Sequence, residues 1–193
     1  MPGTTAGQAD VVTPLPSATV IVIRDGTRGI EALLLKRNPE LRHMPGMWVF
    51  PGGKIDGEDQ GHSPEAQARV AAAREAEEEA GLKLAPEELV DFSHWLTPLV
   101  MKRRFATWFY LAAVESNTAV RVDGGEIVDF QWISPERALA EQRKGELSIS
   151  PPTFISLHDL AAWSTVVEAM AAVADSVPPY FFHNVVRHEG EPV

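Results

Sequence analysis

Apolar residues along the chain come in short runs whose spacing separates strands from helices. A β-branched run over residues 17–24 predicts a strand, Asp25-Gly26 a turn, and residues 30–37 a second strand. The two make a hairpin in which Gly29 permits a turn or bulge. Residues 48–50 predict a short strand stopped by Pro51-Gly52-Gly53, and further strands are predicted over 89–96, 105–114 and 127–133. Ser63-Pro64-Glu65 carries the marks of a helix start: a capping hydroxyl, proline at the first helical position and acid in the first turn. That helix is predicted to run to about Ala80, with Gly81 ending it. Ser134-Pro135-Glu136 repeats the start signal for a short helix, and Pro151-Pro152 announces a C-terminal helix over 157–174. Residues 1–16, with three prolines, read as a flexible lead-in. Residues 17–193 read as one domain that includes a C-terminal helical segment from about residue 151. This order of elements predicts an α+β fold, an α/β/α sandwich on a mixed sheet with an extra C-terminal helix.

Composition narrows the functional classes. A chain of 193 residues buries enough surface to build its own core. It has no cysteine, which excludes disulfides, thiolate metal sites and a cysteine nucleophile and fits a reducing compartment. No bilayer-spanning apolar run and no secretory signal are visible, so a cytoplasmic location is expected. Seventeen cationic against 27 acidic side chains give a net charge of −10, which argues against nucleic acid or an anionic membrane as partner.

The negative charge is concentrated. Residues 54–91 hold eleven carboxylates against four cations. At about 100° per residue, Glu75, Glu78 and Glu79 lie within about 100° of arc on the predicted helix, while Glu77 points away. Like charges at these spacings destabilise a helix by a few tenths of a kcal/mol per pair. One reading is a solvated helix face. The other is a site for a hard divalent cation, which takes oxygen ligands. Arg74 stands four residues before Glu78 and is placed to orient it from behind. Ala72, Ala73, Ala76 and Ala80 flank the acids and let the helix sit close on a sheet. None of the histidines has metal-ligand spacing, and Gly46 to Lys54 lacks the glycine and hydroxyl positions of a phosphate loop.

Together, Gly53 and the run Arg74-Glu75-Ala76-Glu77-Glu78-Glu79-Ala80-Gly81-Leu82 resemble the box of the Nudix hydrolases, in which a glycine and a glutamate precede R-E-U-x-E-E-x-G-U. The spacing departs from that box. Gly53 and Arg74 are 21 positions apart instead of about 14, so seven residues are extra between Asp56 and Gln67, and the first glutamate of the box falls at Ala66. Glu58 and Glu65 are the candidates to stand in for it. The resemblance implies that Glu75, Glu78 and Glu79 hold magnesium or manganese, that Glu78 and Glu79 are catalytic, and that a diphosphate is hydrolysed. It also implies a further glutamate in a loop ahead of the last strand. Glu126, six residues before Trp132, matches that position, with Glu115 the weaker candidate.

The stretch from Leu33 to Gly53 resembles a second pattern, that of the coenzyme A diphosphatases within the family, with Leu33, Leu34, Arg37, Arg42, Gly46, Phe50, Pro51, Gly52 and Gly53 in register. The segment around Arg103-Arg104-Phe105 looks like the peroxisomal branch of those enzymes. The implied reaction cuts CoA or an acyl-CoA to 3′,5′-ADP and a 4′-phosphopantetheine. Arg37, Arg42 and Arg104 would bind its phosphates beside Gly52 and Gly53, since guanidinium forks match phosphate oxygens. The alternatives are a Nudix hydrolase of ADP-ribose, NADH or a nucleotide sugar, and a non-catalytic ligand sensor.

Overall fold

The computed structural model describes residues 12–182. Most of the expected lead-in, residues 1–11, and the last eleven residues, 183–193, lie outside it. The strands are β1 (Leu15–Gly26), β2 (Gly29–Arg37), β3 (Trp48–Val49), β4 (Gly52–Lys54), β5 (Val90–Leu96), β6 (Phe105–Ala113), β7 (Ile127–Ile133) and β8 (Tyr180–Phe182). The helices are α1 (Pro64–Ala80), α2 (Pro135–Arg143), α3 (Pro151–Leu160) and α4 (Val166–Ala174). The order β3-β2-β1-β6-β5-β8 forms a mixed sheet, with β7 on the other edge of β2. The fold is α+β, as expected.

Alternation along β1 sends its side chains to two cores. Ile21 and Ile23 join Leu34, Phe92, Trp95 and Phe109 on one face, covered by α2, α3 and α4. Ala18, Val20 and Val22 join Leu33, Leu35 and Tyr110 on the other, covered by α1. Leu157 and Leu160 of α3 are fully buried in the first core. At about 1.5–3 kcal/mol for each such side chain, their burial is enough to dock this helix on the sheet.

The sheet forks at the end that matters for function. β1 pairs with β2 only from Ile23 to Gly26, and its first half, Ser17 to Thr19, pairs with β4 instead. β2 leaves β1 to pair with β3 through Leu35 and Lys36. The segment from β3 to β4 is thus a wedge between the two long strands.

Four elements differ from the sequence expectation. The single C-terminal helix over 157–174 is two helices. Ser150 caps α3 with two prolines at its start, so it begins earlier. Thr165 and Glu168 then form a reciprocal capping box that starts α4 afresh. Strand β1 begins at Leu15, inside the stretch read as lead-in, because it pairs in parallel with Phe105 on β6. The stop at Pro51-Gly52-Gly53 runs directly into β4, since Gly52 and Gly53 pair with Thr19 and Ala18. β8, added in parallel to β5, had no signal strong enough to predict it.

Candidate active site

Helix α1 is capped by the Ser63 hydroxyl and ended by Gly81. Its first turn is tied to β6 by the Tyr110 hydroxyl, which donates to the Glu65 carbonyl at 3.2 Å. Its buried face is an alanine stripe of Ala68, Ala72, Ala76 and Ala80, all fully enclosed. Such small side chains contribute little transfer energy each, but they let the helix lie close on the sheet. Glu79 belongs to that same buried face, at 6% exposure. Its Oε2 accepts a hydrogen bond from the Gly52 N–H at 2.9 Å, which places a carboxylate in the fork between β1 and β2.

The other two acids of the arc sit progressively further out. The Glu75 side chain is 15% exposed and that of Glu78 59%. Glu75 lies against Gly53: a Cβ there would stand 2.2 Å from Glu75 Oε1, so no larger residue fits unless the carboxylate moves. Nη1 of Arg74 donates to both acids, at 2.9 Å to Glu75 and 3.1 Å to Glu78.

Glu126 comes from a separate element. Asp123 accepts from the N–H groups of Gly125, Glu126 and Ile127, which folds the loop before β7 into a fixed turn. Asn38 clasps the same loop through the carbonyls of Gly125 and Glu126. Neither Asp123 nor Asn38 was picked out from the sequence, and the Asp-Gly-Gly turn was the signal present. Arg37 Nη1 meets Glu126 Oε1 at 2.7 Å. Glu115, the weaker candidate, lies beyond the opposite end of β6, in a cleft lined by Lys83, Ser116 and Val166.

The electrostatics follow from this crowding. Burial pushes the Glu79 carboxyl up to about 8, with the charges of Glu75 and Glu126 adding to the shift and the Gly52 hydrogen bond and Arg37 opposing it. Burial also raises Glu75, against the pull of Arg74 and with repulsion from Glu78 and Glu126. Three carboxylates from two elements therefore lie close enough to repel one another, with Arg74 and Arg37 offsetting part of their charge. Among the described residues, no three histidine, aspartate or glutamate side chains meet in a geometry ready to hold a metal ion. Arg74 draws Glu75 and Glu78 to itself, and Glu79 turns to Gly52. The donor set is nonetheless all oxygen, anionic and crowded, and it fits a hard divalent cation that would supply the missing charge.

The expected phosphate-binding residues divide. Arg42 is exposed and makes no hydrogen bond or ion pair among the described residues. Arg37, expected to face substrate, is held by Glu126 and by the His43 carbonyl at 3.2 Å. Arg104, expected to bind a substrate phosphate, does not face solvent. It is buried, donating to the carbonyls of Thr97 and Val12, because its β-strand neighbours turn it inward. The exposed cations of that segment are Lys102 and Arg103, the latter lying 5.2 Å from the Phe105 ring centre. Gly52 and Gly53 serve the glutamates, one by its N–H and the other by the space it leaves.

A family model for the NUDIX domain matches residues 13–151, well over half of the chain. The chain belongs to the Nudix family. A solved NUDIX hydrolase from Alicyclobacillus acidocaldarius superposes on this Nudix domain with a TM-score of 0.75 and 25% identity, covering 86% of this chain and 99% of that one. The acyl-coenzyme A diphosphatase NUDT19 of Xenopus laevis is 23% identical over 75% of this chain and 63% of its own length. The human protein of that name is 34% identical over 40% of this chain and 21% of its own. The chain thus spans less than two thirds of the length of these curated relatives. No helix among the described residues is long and apolar enough to cross a membrane.

Proposed function

We propose that this Nudix domain is a divalent-metal-dependent hydrolase of the diphosphate in CoA or an acyl-CoA, using magnesium or manganese and releasing 3′,5′-ADP and a 4′-phosphopantetheine. The observation that supports the reading is the mutual repulsion of Glu75, Glu79 and Glu126, with Glu75 and Glu79 set against Gly53 and Gly52 and Glu78 next to them on the helix. When bound there, the cation supplies charge neutralisation for the diphosphate and lowers the pKa of water. Glu75, Glu78 and Glu79 would hold it. Glu126 orients water or accepts its proton, from a backbone locked by Asp123 and Asn38. Arg37, 13% exposed and already paired with Glu126, keeps that carboxylate aimed at the fork. The choice of CoA is supported by the register of Leu33 to Gly53 and by the two relatives named acyl-coenzyme A diphosphatase. The reading treats residues from about 17 onward as one domain, with α3 and α4 in its core, and places the protein in the cytoplasm.

A second reading, hydrolysis of ADP-ribose, NADH or a nucleotide sugar, is favoured by one observation. Of the three arginines expected to bind phosphates, only Arg42 is uncommitted, and CoA carries one phosphate more than these substrates. Incubating a panel of diphosphates with magnesium and identifying the products by mass tests both. A higher kcat/KM for CoA than for ADP-ribose supports the first reading, and the reverse order selects the second.

A further inference from the structure

The loop between β2 and β3 meets the start of β6 through a pair of rings. His43 and Phe105 stand with their centroids 5.8 Å apart, tilted by 42°. Strand β6 runs parallel to β1 and sets Phe105 beside Leu15. That is the end of the sheet where β4 pairs with Ser17 to Thr19, so Phe105 lies at the fork end. The guanidinium of Arg103 sits over the Phe105 ring, 5.2 Å from its centre, within the range of a cation–π contact. A path of contacts leads from there to the glutamates. The His43 carbonyl accepts from Arg37 Nε at 3.2 Å, and Arg37 Nη1 pairs with Glu126. Desolvation holds the His43 imidazole below its ordinary value, with the charges of Arg37 and Arg103 adding to the shift and Glu126 opposing it. One ring therefore feels Arg37, Arg103 and Glu126 together. The base of the β5–β6 loop is fixed. Arg104 donates to the carbonyls of Thr97 and Val12, and Thr97 and Phe105 exchange two hydrogen bonds at 3.0 Å. Arg103 itself is exposed and makes no hydrogen bond or ion pair among the described residues. A guanidinium lying on a ring face keeps its N–H donors free at its edges. Across from it, Arg42 adjoins His43 and is equally unattached.

We propose that Arg103, carried on the Phe105 ring beside His43, is a substrate-binding residue that takes a phosphate monoester on the ribose of the substrate, the 3′-phosphate of CoA. The inference rests on the CoA reading above. In that reading the diphosphate belongs with the cation at the glutamates, and Arg37 already belongs to Glu126. An unpaired guanidinium reached from Arg37 through two rings then faces a different anionic group of the same substrate. A phosphate monoester carries about −1.5 to −2 charge at pH 7, and its oxygens match the guanidinium fork. ADP-ribose, NADH and the nucleotide sugars have no such group. Arg103 thus supplies the recognition that the buried Arg104 does not.

The test compares wild type with Arg103→Ala, Arg103→Lys and Lys102→Ala, the last removing an adjacent exposed charge that has no ring contact among the described residues. Calorimetry reads binding of 3′,5′-ADP, 2′,5′-ADP and AMP. Turnover is read with magnesium on CoA, dephospho-CoA and ADP-ribose. Wild type is expected to bind 3′,5′-ADP more tightly than AMP or 2′,5′-ADP. Arg103→Ala is expected to weaken 3′,5′-ADP by about tenfold or more and to leave AMP nearly unchanged. It should shrink the kcat/KM preference for CoA over dephospho-CoA by a similar factor, through KM. Arg103→Lys should recover part of the loss, because it restores the charge without the fork. Lys102→Ala should keep the preference. Arg103→Ala with wild-type discrimination, an equal loss on CoA and dephospho-CoA, or the same loss in Lys102→Ala would each overturn the site. Tightest binding of 2′,5′-ADP would overturn its assignment to a 3′-phosphate. The two readings fail separately. A wild type with a higher kcat/KM for ADP-ribose than for CoA overturns the CoA reading, whereas a wild type that prefers CoA and an Arg103→Ala that prefers it equally overturn the Arg103 site alone.

Discussion

The two arginines nearest the site, Arg74 and Arg37, stand in contrasting surroundings. Arg74 spends all five donors on fixed acceptors drawn from the loop, β4 and the helix. Arg37 has one carboxylate partner whose side chain is half exposed and one carbonyl at 3.2 Å. The loop that follows Arg37 offers Arg42 to solvent with nothing attached. The difference separates two tasks. Groups that act on the reacting phosphorus gain from being immobile, since preorganised charge costs no reorganisation during the reaction. Groups that recognise the rest of a substrate gain from being free until it arrives. Mutations of the helix acids, and of Glu126 with its partner Arg37, should therefore change kcat, and those of the unattached Arg42 KM.

The largest effect is expected at Glu79. Glu79→Gln keeps the acceptor for the Gly52 N–H but removes the charge, and turnover should fall by about 10²–10³-fold. The metal-free protein should unfold at no lower temperature, because a buried carboxylate has gone. Near-wild-type turnover would remove the helix from the chemistry and erase the contrast.

Glu126→Gln is expected next, with kcat lower by about 10²-fold and KM almost unchanged. Glu115→Gln, at the far end of β6, serves as the control and should behave as wild type. A loss in the control and none at Glu126 would move the reacting end of the sheet.

On the loop side, Arg42→Ala is expected to raise the KM for CoA by about tenfold, the worth of one charged hydrogen bond of about 1.5–3 kcal/mol, with kcat kept. Dephospho-CoA should be affected less if Arg42 meets the 3′-phosphate. A fall in kcat at constant KM would place Arg42 with the rigid group instead.

The same contrast explains what could be read from the sequence. Helix α1 and its acids were legible because local chemistry specifies them: a Ser-Pro-Glu start, a glycine end and acids at a fixed angular spacing. Strands β2, β5, β6 and β7 were legible from their apolar runs. Asp59, which takes the guanidinium of Arg74 from fifteen positions away, is missed because counting back from Arg74 lands on Ala66, whereas counting six forward from Gly53 lands on Asp59. Arg104 was misplaced for a different reason. A cation in a run of three cations looks solvent-facing until the register of β6 against β1 turns it inward. Helix α4 was merged with α3 because the apolar pattern continues across residues 161–165, and only the capping box marks the break.

The smallest expected effect is also the one that probes the metal-free fork directly. Burial holds the Glu79 carboxyl at about 8, well above its ordinary value of 4.5. The folded protein thus keeps a proton that the unfolded chain has already lost at neutral pH. Stability from this group is full below about 4.5 and is lost progressively as pH rises through about 8. In metal-free buffer, raising the pH from 6 to 8.5 should lower the thermal midpoint by a few degrees beyond the drift of Glu79→Gln, in which the titrating group is gone. A divalent cation should reverse the trend. It binds the ionised form, so Mn2+ should raise the midpoint more at pH 8.5 than at pH 6, and its apparent affinity should climb over that interval. Parallel pH profiles for wild type and Glu79→Gln, with and without Mn2+, would mean that the fork is open to water and that Glu79 titrates like any surface acid. The rigid, dry half of the comparison would then lose its physical basis.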